Sequence, residues 1–254
     1  LPESLPDLSV PFEHVTYLGL SQSSFGQTHC SLLKLFPSLR SLDLSYNTVT
    51  RLPSELRQMF SLKNLNLSNN RMVLFPEDVA LLRTLRRVQA LALDHNPLGL
   101  PPDISLMPKL RHLDLNHTQI SEWPTGLFAH PRETGFFLDL SGNPITHLPA
   151  LTPEPSAART VARTRLDRNA LSNEQRDLYE RYRTEAGLDP YRTYEPQGKS
   201  DPWTTGDDLE TRQKRERLWD ALEAEHGSQG FFEVIKLLEP PAFLETPEDQ
   251  RRFA

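Results

Sequence analysis

The chain has 254 residues and a formal net charge of −6, long enough for one or two domains with a sizeable core. Hydrophobic residues make up 37% and mean hydropathy is −0.52, and no run approaches the roughly eighteen apolar residues that a membrane helix needs. A single cysteine, Cys30, excludes an intramolecular disulfide and a cysteine-built zinc site, and the acidic balance offers no basic field for nucleic acid. The start Leu1-Pro2-Glu3, without a basic or apolar leader pattern, reads as an internal boundary rather than a signal peptide. The composition points to a soluble protein acting inside a cell.

Of 43 leucines, 33 lie in residues 1–151, whereas charged residues number 25 there and 37 in the remaining 103. Two architectures meet near Leu151. In the first, leucine pairs recur at Leu18/Leu20, Leu42/Leu44, Leu65/Leu67, Leu91/Leu93, Leu113/Leu115 and Leu138/Leu140, spaced 22 to 26 residues apart. Three residues after each pair stands Ser23, Asn47, Asn70, Asn96, Thr118 or Asn143, and several copies close on an apolar residue followed by proline, as in Leu52-Pro53 and Leu148-Pro149. This is the leucine-rich-repeat pattern LxxLxLxxN with a short xLP ending.

Each position has a physical task. The LxL alternation predicts a short strand with leucines inward and the intervening residues outward. The asparagine can satisfy backbone groups where the strand bends away, which Ser or Thr does less completely. One repeat cannot bury its own leucines, so stacking into a curved solenoid is obligatory. Ser23 suits an atypical terminal repeat. Residues 81–87 and 31–39 carry helical spacing and predict helical turns on the convex side.

Outward strand positions form columns on the concave sheet, where repeat proteins bind partners. The middle column reads Gly19, Asp43, Asn66, Ala92, Asp114, Asp139; before it run Tyr17, Ser41, Asn64, Ala90, His112, Phe137; after it Ser21, Ser45, Ser68, Asp94, Asn116, Ser141. The candidate partner-binding residues are Tyr17, Asp43, Tyr46, Asn64, Asn66, Asp94, His95, His112, Asp114, Asn116, Phe137 and Asp139. Such a small, polar, mildly acidic face suits a basic protein segment, and a merely solvated sheet is the plainer alternative. His95, His112 and His117 fall on adjacent repeats beside Asp94 and Asp114, but nothing in the spacing fixes a ligand geometry, so no metal and no cofactor is expected.

Beyond Leu151 the pattern becomes helical. Ser172-Asn-Glu-Gln175 reads as a capping box, followed by Leu178, Tyr179 and Tyr182 and stopped by Gly187. A Pro-rich connection over 188–207 carries Tyr191, Tyr194 and Trp203. A helix is predicted over 208–226 with Leu218, Trp219 and Leu222 on one side, and another with Phe231, Phe232, Ile235 and Leu238; Thr246-Pro247 opens a fourth that the chain leaves at Ala254.

The stretch Trp219-Asp-Ala-Leu-Glu-Ala-Glu-His-Gly227-Ser-Gln-Gly-Phe231-Phe-Glu-Val-Ile235 resembles the opening helices of the novel E3 ligase domain of IpaH-type bacterial effectors, and is most similar to the large pseudomonad toxin-like members. The run from Leu138 to Leu166 resembles the junction between repeats and ligase in such proteins. The resemblance implies an α+β chain in three parts: a leucine-rich-repeat domain over 1–151, a helical cap and linker over 152–207, and the start of an incomplete ligase domain over 208–254. It implies recognition of a host protein by the repeats, secretion into the host cytoplasm, and contact with ubiquitin and its conjugating enzyme only through the missing catalytic part.

The family transfers ubiquitin through a cysteine thioester in a Cys-x-Asp setting, and no cysteine follows Cys30 here. Cys30, beside His29, reads best as a buried structural cysteine. The chain is therefore expected to bind a partner as a monomer and to be inactive by itself. The alternatives are a standalone interaction scaffold, or an enzyme with an unrelated site on the helices, for which no motif is present.

Overall fold

The leucine register sets the sheet. Strands β1 (Tyr17–Gly19), β2 (Ser41–Asp43), β3 (Asn64–Asn66), β4 (Ala90–Ala92), β5 (His112–Asp114) and β6 (Phe137–Asp139) pair in parallel, in chain order, with Leu18, Leu42, Leu65, Leu91, Leu113 and Leu138 aligned. This is the α+β solenoid the periodicity predicts. The computed structural model describes residues 10–132, 135–150, 155–188 and 190. The expectations for 191–254, among them a protected cluster of Trp219, Phe231 and Phe232, lie outside the described residues.

From β2 onward the paired leucines are buried, and with Phe25, Met72, Ile104, Met107 and Ile120 they form one continuous core. Leu18 and Leu20 are only half-buried, a departure from the expected burial of every pair. Among the described residues their repeat stacks on a neighbour on one side, through β2. The convex side holds 3₁₀ turns at Gln27–Leu35 and Ser54–Gln58 and one short helix, α1 (Pro76–Leu82). The helical turn thus lies earlier than the spacing over 81–87 suggests. Pro76 at the first helical position and the Asp78 carboxylate, which accepts the Phe75 N–H at 2.9 Å, fix its start.

The asparagines join the repeats. Asn70 donates through Nδ2 to the carbonyls of Leu44 (2.9 Å), Leu67 (3.0 Å) and Ser68 (3.1 Å), while its Oδ1 accepts the Val49 N–H at 2.9 Å. Asn47, Asn96 and Asn143 repeat this scheme, each reaching one carbonyl of the repeat before it: Leu20, Leu67 and Leu115. Thr118 has no amide to do so. Its hydroxyl donates to Leu115, and its own carbonyl accepts the Leu98 N–H at 3.0 Å, where Met72 N–H in the repeat before is held by Asn96 Oδ1.

One residue per repeat, just before this position, adopts a left-handed backbone: Gln22, Tyr46, Asn69, His95, His117 and Gly142, with φ between +52° and +70°. The turn aims each N–H of the first five at a carbonyl of the next repeat.

After β6 the ladder continues for one bridge. Arg165 pairs with Asp139, donating its N–H to Leu138 and accepting from Leu140. Helices α2 (Pro155–Arg163) and α3 (Asn173–Glu185) pack together, with Leu148, Val161, Leu171 and Tyr179 forming a second small core. Ser172 caps α3 by accepting the Gln175 N–H. The reciprocal half of the expected capping box does not form, because Gln175 Oε1 instead accepts the Leu148 N–H at 2.8 Å and ties the helix to the last repeat. Gly187, at φ +76°, ends α3: its N–H reaches Thr184 and that of Leu188 reaches Arg183.

Replacing Asn70 or Asn96 by Ala strands buried carbonyls and an N–H together, and is expected to cost about 2–3 kcal/mol in urea unfolding. Ser23→Ala, which removes only the donation to Leu20, is expected to cost under about 1 kcal/mol.

Candidate protein-binding face

The concave columns lie where the register puts them, but their side chains are not equally available. At the amino end Tyr17 is 52% exposed and lies over Gly19, where a Cβ would fall 2.7 Å from the phenol oxygen. Ser41 is buried. On β4 both outward positions are alanine, flanked by Asn64 and Asn66 on β3 and by His112 and Asp114 on β5. This leaves a notch in the middle of the sheet. On its far side His112 packs against Phe137, ring centroids 4.5 Å apart.

In the middle column each oxygen-bearing side chain holds the amide two residues on. Asp43 accepts from Ser45 (2.9 Å), Asn66 from Ser68 (3.1 Å), Asp114 from Asn116 (3.0 Å) and Asp139 from Ser141 (2.9 Å). Asp43 and Asp114 commit only Oδ1 in this way, and the second oxygen makes no bond among the described residues. Asp139 departs from the expected outward carboxylate: it is 3% exposed, its Oδ2 takes the Arg165 guanidinium at 3.0 Å, and its Oδ1 also accepts the Ser141 hydroxyl. The bridge after β6 lays the arginine over it and neutralises it.

The third column is a polar chain: Ser45 to Ser21 at 3.0 Å, Ser68 to Asp94, Asp94 to His95 at 3.0 Å, and Asn116 to Ser141 at 2.6 Å. His117 bonds Asn116, and its ring stacks on His95 with centroids 5.0 Å apart. Tyr46, His95 and His117 thus stand along the rim because their left-handed backbone turns them out of the sheet. Gly142 continues that row, and a Cβ there would meet the His117 ring at 2.6 Å. Among the described residues no three His, Cys, Asp or Glu side chains gather as a metal ion would require.

The centre of the face has unusual protonation. Burial within the trough pushes the Asp114 carboxyl up to about 7; the Asn116 amide opposes this, Asp94 and Asp139 add to it, and Arg165 offsets it. Desolvation by the surrounding protein depresses the His112 imidazole to about 4 against the pull of Asp139 and Asp94. Near neutral pH His112 is therefore an uncharged hydrogen-bonding group and Asp114 is half-ionised.

Cys30 lies far along the solenoid from this centre. It is buried, and burial and then Glu55 raise its thiol to about 12. The neighbouring His29 accepts the Gly26 N–H at 2.9 Å through Nδ1 and packs on Phe25. No activated nucleophile results.

Residues 13–72 match the leucine rich repeat family. The chain carries a leucine-rich-repeat solenoid. A solved structure of a leucine-rich-repeat protein from Leptospira interrogans is similar, at 30% identity over 55% of this chain, with a TM-score of 0.42; the match covers 32% of that protein's chain. No curated protein sequence gives a significant match. Leucine-rich-repeat domains bind protein partners, and none of the helices among the described residues is long and apolar enough to cross a membrane.

The raised Asp114 has a definite consequence for stability. Its folded pKa lies above its unfolded value, so its contribution is fully present below about 4 and lost as pH rises through about 7. Asp114→Asn, which keeps the acceptor for Asn116, is expected to raise the unfolding midpoint above pH 7 and to leave it nearly unchanged near pH 4. His112 has the opposite sign: its contribution is present above about 6.5 and lost as pH falls through about 4. Its imidazole signals in an NMR titration are expected to stay in the neutral form down to about pH 5.

Proposed function

We propose that the concave face captures a basic segment of a protein partner, with a cationic side chain entering the notch over Ala90 and Ala92. One observation carries this reading: Asp94 and Asp114 act on one another beside a strand, β4, whose outward positions are methyl groups, next to a neutral His112 and the Phe137 ring, with Asp43 on the same column two strands toward the amino end. A lysine or arginine there meets carboxylate oxygens at one end of the notch and an aromatic surface at the other. Tyr17 and Tyr46 extend the contact toward the amino end, and Asn64, Asn66 and Asn116 supply amide groups for the partner's backbone.

We further propose that the solenoid serves as the substrate-recognition part of a ubiquitin ligase effector delivered to a host cell. The support is the resemblance of Trp219–Leu238 to the opening helices of the novel E3 ligase domain. In that reading the repeats choose the target, and α2 and α3 link them to the catalytic part. Cys30 is poorly suited to transfer, since its buried thiol is pushed up to about 12, and in that reading the thioester is carried by a cysteine of the ligase part. A scaffold that recruits its partner without catalysis rests on the same face.

Two measurements test these readings. A lysine-rich peptide should bind more tightly as pH rises through about 7, because ionised Asp114 is the form a cation selects. Asp43→Lys with Asp114→Lys should weaken it by about tenfold or more, less at high salt. Binding that ignores both changes would refute the concave site. In ubiquitin discharge from a charged conjugating enzyme, residues 1–254 should be inert, and a longer form containing a Cys-x-Asp should be active. Inertness of the longer form would leave the scaffold.

A further inference from the structure

A second surface lies outside the concave face. The segments leading into β2, β3, β4 and β5, residues 31–41, 56–64, 80–90 and 104–112, carry nine basic residues and no acidic one. The acidic residues of the strands, Asp43, Asp114 and Asp139, stand at the opposite, carboxyl ends. These segments are locally basic even though the whole chain is acidic and Glu55, Asp78 and Asp103 stand just before them.

Within the basic edge, between the second and third of these segments, a groove of about 160 Å³ opens over the side chains of Met59 and Leu85. Its rim is formed by Phe60, Arg57, Arg86 and Arg87. Phe60 is 77% exposed, the most exposed of the large hydrophobic side chains among the described residues. Nothing in the repeat requires an aromatic there, since the core position beside it is already filled by Met59 at 3% exposure. Arg57, Arg86 and Arg87 form no ion pair among the described residues, whereas nearby Arg51 and Arg83 are matched to Asp78 and Asp103. An apolar hollow, a solvent-facing phenylalanine and three unmatched guanidiniums on one rim are complementary to one kind of ligand.

We propose that this groove docks an acidic segment of a partner protein, one large apolar side chain seated beside Phe60 and flanking carboxylates held by Arg57, Arg86 and Arg87. Planar guanidiniums grip carboxylates in pairs, and a groove of this size admits one or two side chains. A lipid surface would call for several insertable apolar groups rather than one. A nucleic acid would offer phosphates to the arginines but no apolar side chain to the hollow over Met59 and Leu85. The site is separate from the concave face, takes ligands of opposite charge, and does not depend on the reading given above for that face.

The experiment uses the whole chain and a fluorescein-labelled peptide in which one Leu-Phe pair is flanked on both sides by two Glu-Asp pairs. Saturable anisotropy is expected, weakening as salt rises. Phe60→Ala and Arg86→Glu/Arg87→Glu should each lower affinity by roughly tenfold, and a peptide with Gly-Gly in place of Leu-Phe should bind as weakly as the Phe60 variant. Asp43→Lys/Asp114→Lys should not lower the affinity for this probe, which separates the groove from the concave face. Phe60, Arg86 and Arg87 are exposed, and unchanged circular dichroism and unfolding midpoints verify that these variants and the Asp43/Asp114 variant fold. Absence of saturable binding, binding indifferent to Phe60 and the arginines, or tighter binding of anionic phospholipid vesicles or of a single-stranded oligonucleotide would each overturn the proposal.

Discussion

A single buried amide, repeated, holds the repeats to one another. In Asn47, Asn70, Asn96 and Asn143 the side chain spans two turns of the solenoid: its donor hydrogens go to a carbonyl of the preceding repeat and to two of its own, and its oxygen takes an N–H of the preceding repeat. Strands of three residues contribute few ladder bonds, and leucines alone are non-directional. The asparagine supplies the direction. It fixes the spacing of successive turns, and with it the alignment of the columns on which any recognition depends.

The same spacing explains how the concave face acquires its electrostatic character. Parallel strands in strict register stack Asp114 between Ala92 and Asp139, with Asp94 close by, in a trough where a charge is poorly hydrated. Carboxylates that would repel one another on a flat surface are relieved in different ways: Asp139 by Arg165, Asp94 by Ser68 and His95, and Asp114 by holding its proton until the pH approaches about 7. The face is thus set to accept positive charge from outside at Asp43 and Asp114, which, unlike Asp139, have no cation bonded to them among the described residues.

Much of this was readable from residues. A leucine period over six copies specifies strands, register and core because each position faces one environment in every turn. What escaped the pattern depends on contacts that no period encodes. Asp139 looks like its column-mates Asp43 and Asp114, and only a residue 26 positions later, in a helical stretch, removes it from solvent. Gln175 fits a capping box by spacing, yet a backbone amide 27 residues earlier competes for it. The left-handed row carried no glycine signal, since five of its six members are Gln, Tyr, Asn and His. The basic edge is spread over four segments at shifting offsets and emerges only when the turns are superposed.

The bridge at Arg165 has a further consequence for how such an array can grow. It occupies the place a seventh strand would take, between the end of α2 and the start of α3, and its guanidinium is spent on the last aspartate of the column. At Asp139 the edge of β6 is consequently covered by the bridging backbone, which occupies the bonds a further repeat would use there. Lengthening by gene duplication would therefore have to take place between existing repeats, where an inserted turn finds an asparagine waiting on one side and leucines on the other. Duplication of the last repeat together with its cap would place an arginine-sealed edge in the middle of the sheet. The terminus thus constrains which recombined descendants of this protein can fold, and it directs variation toward the interior turns that form the recognition surface.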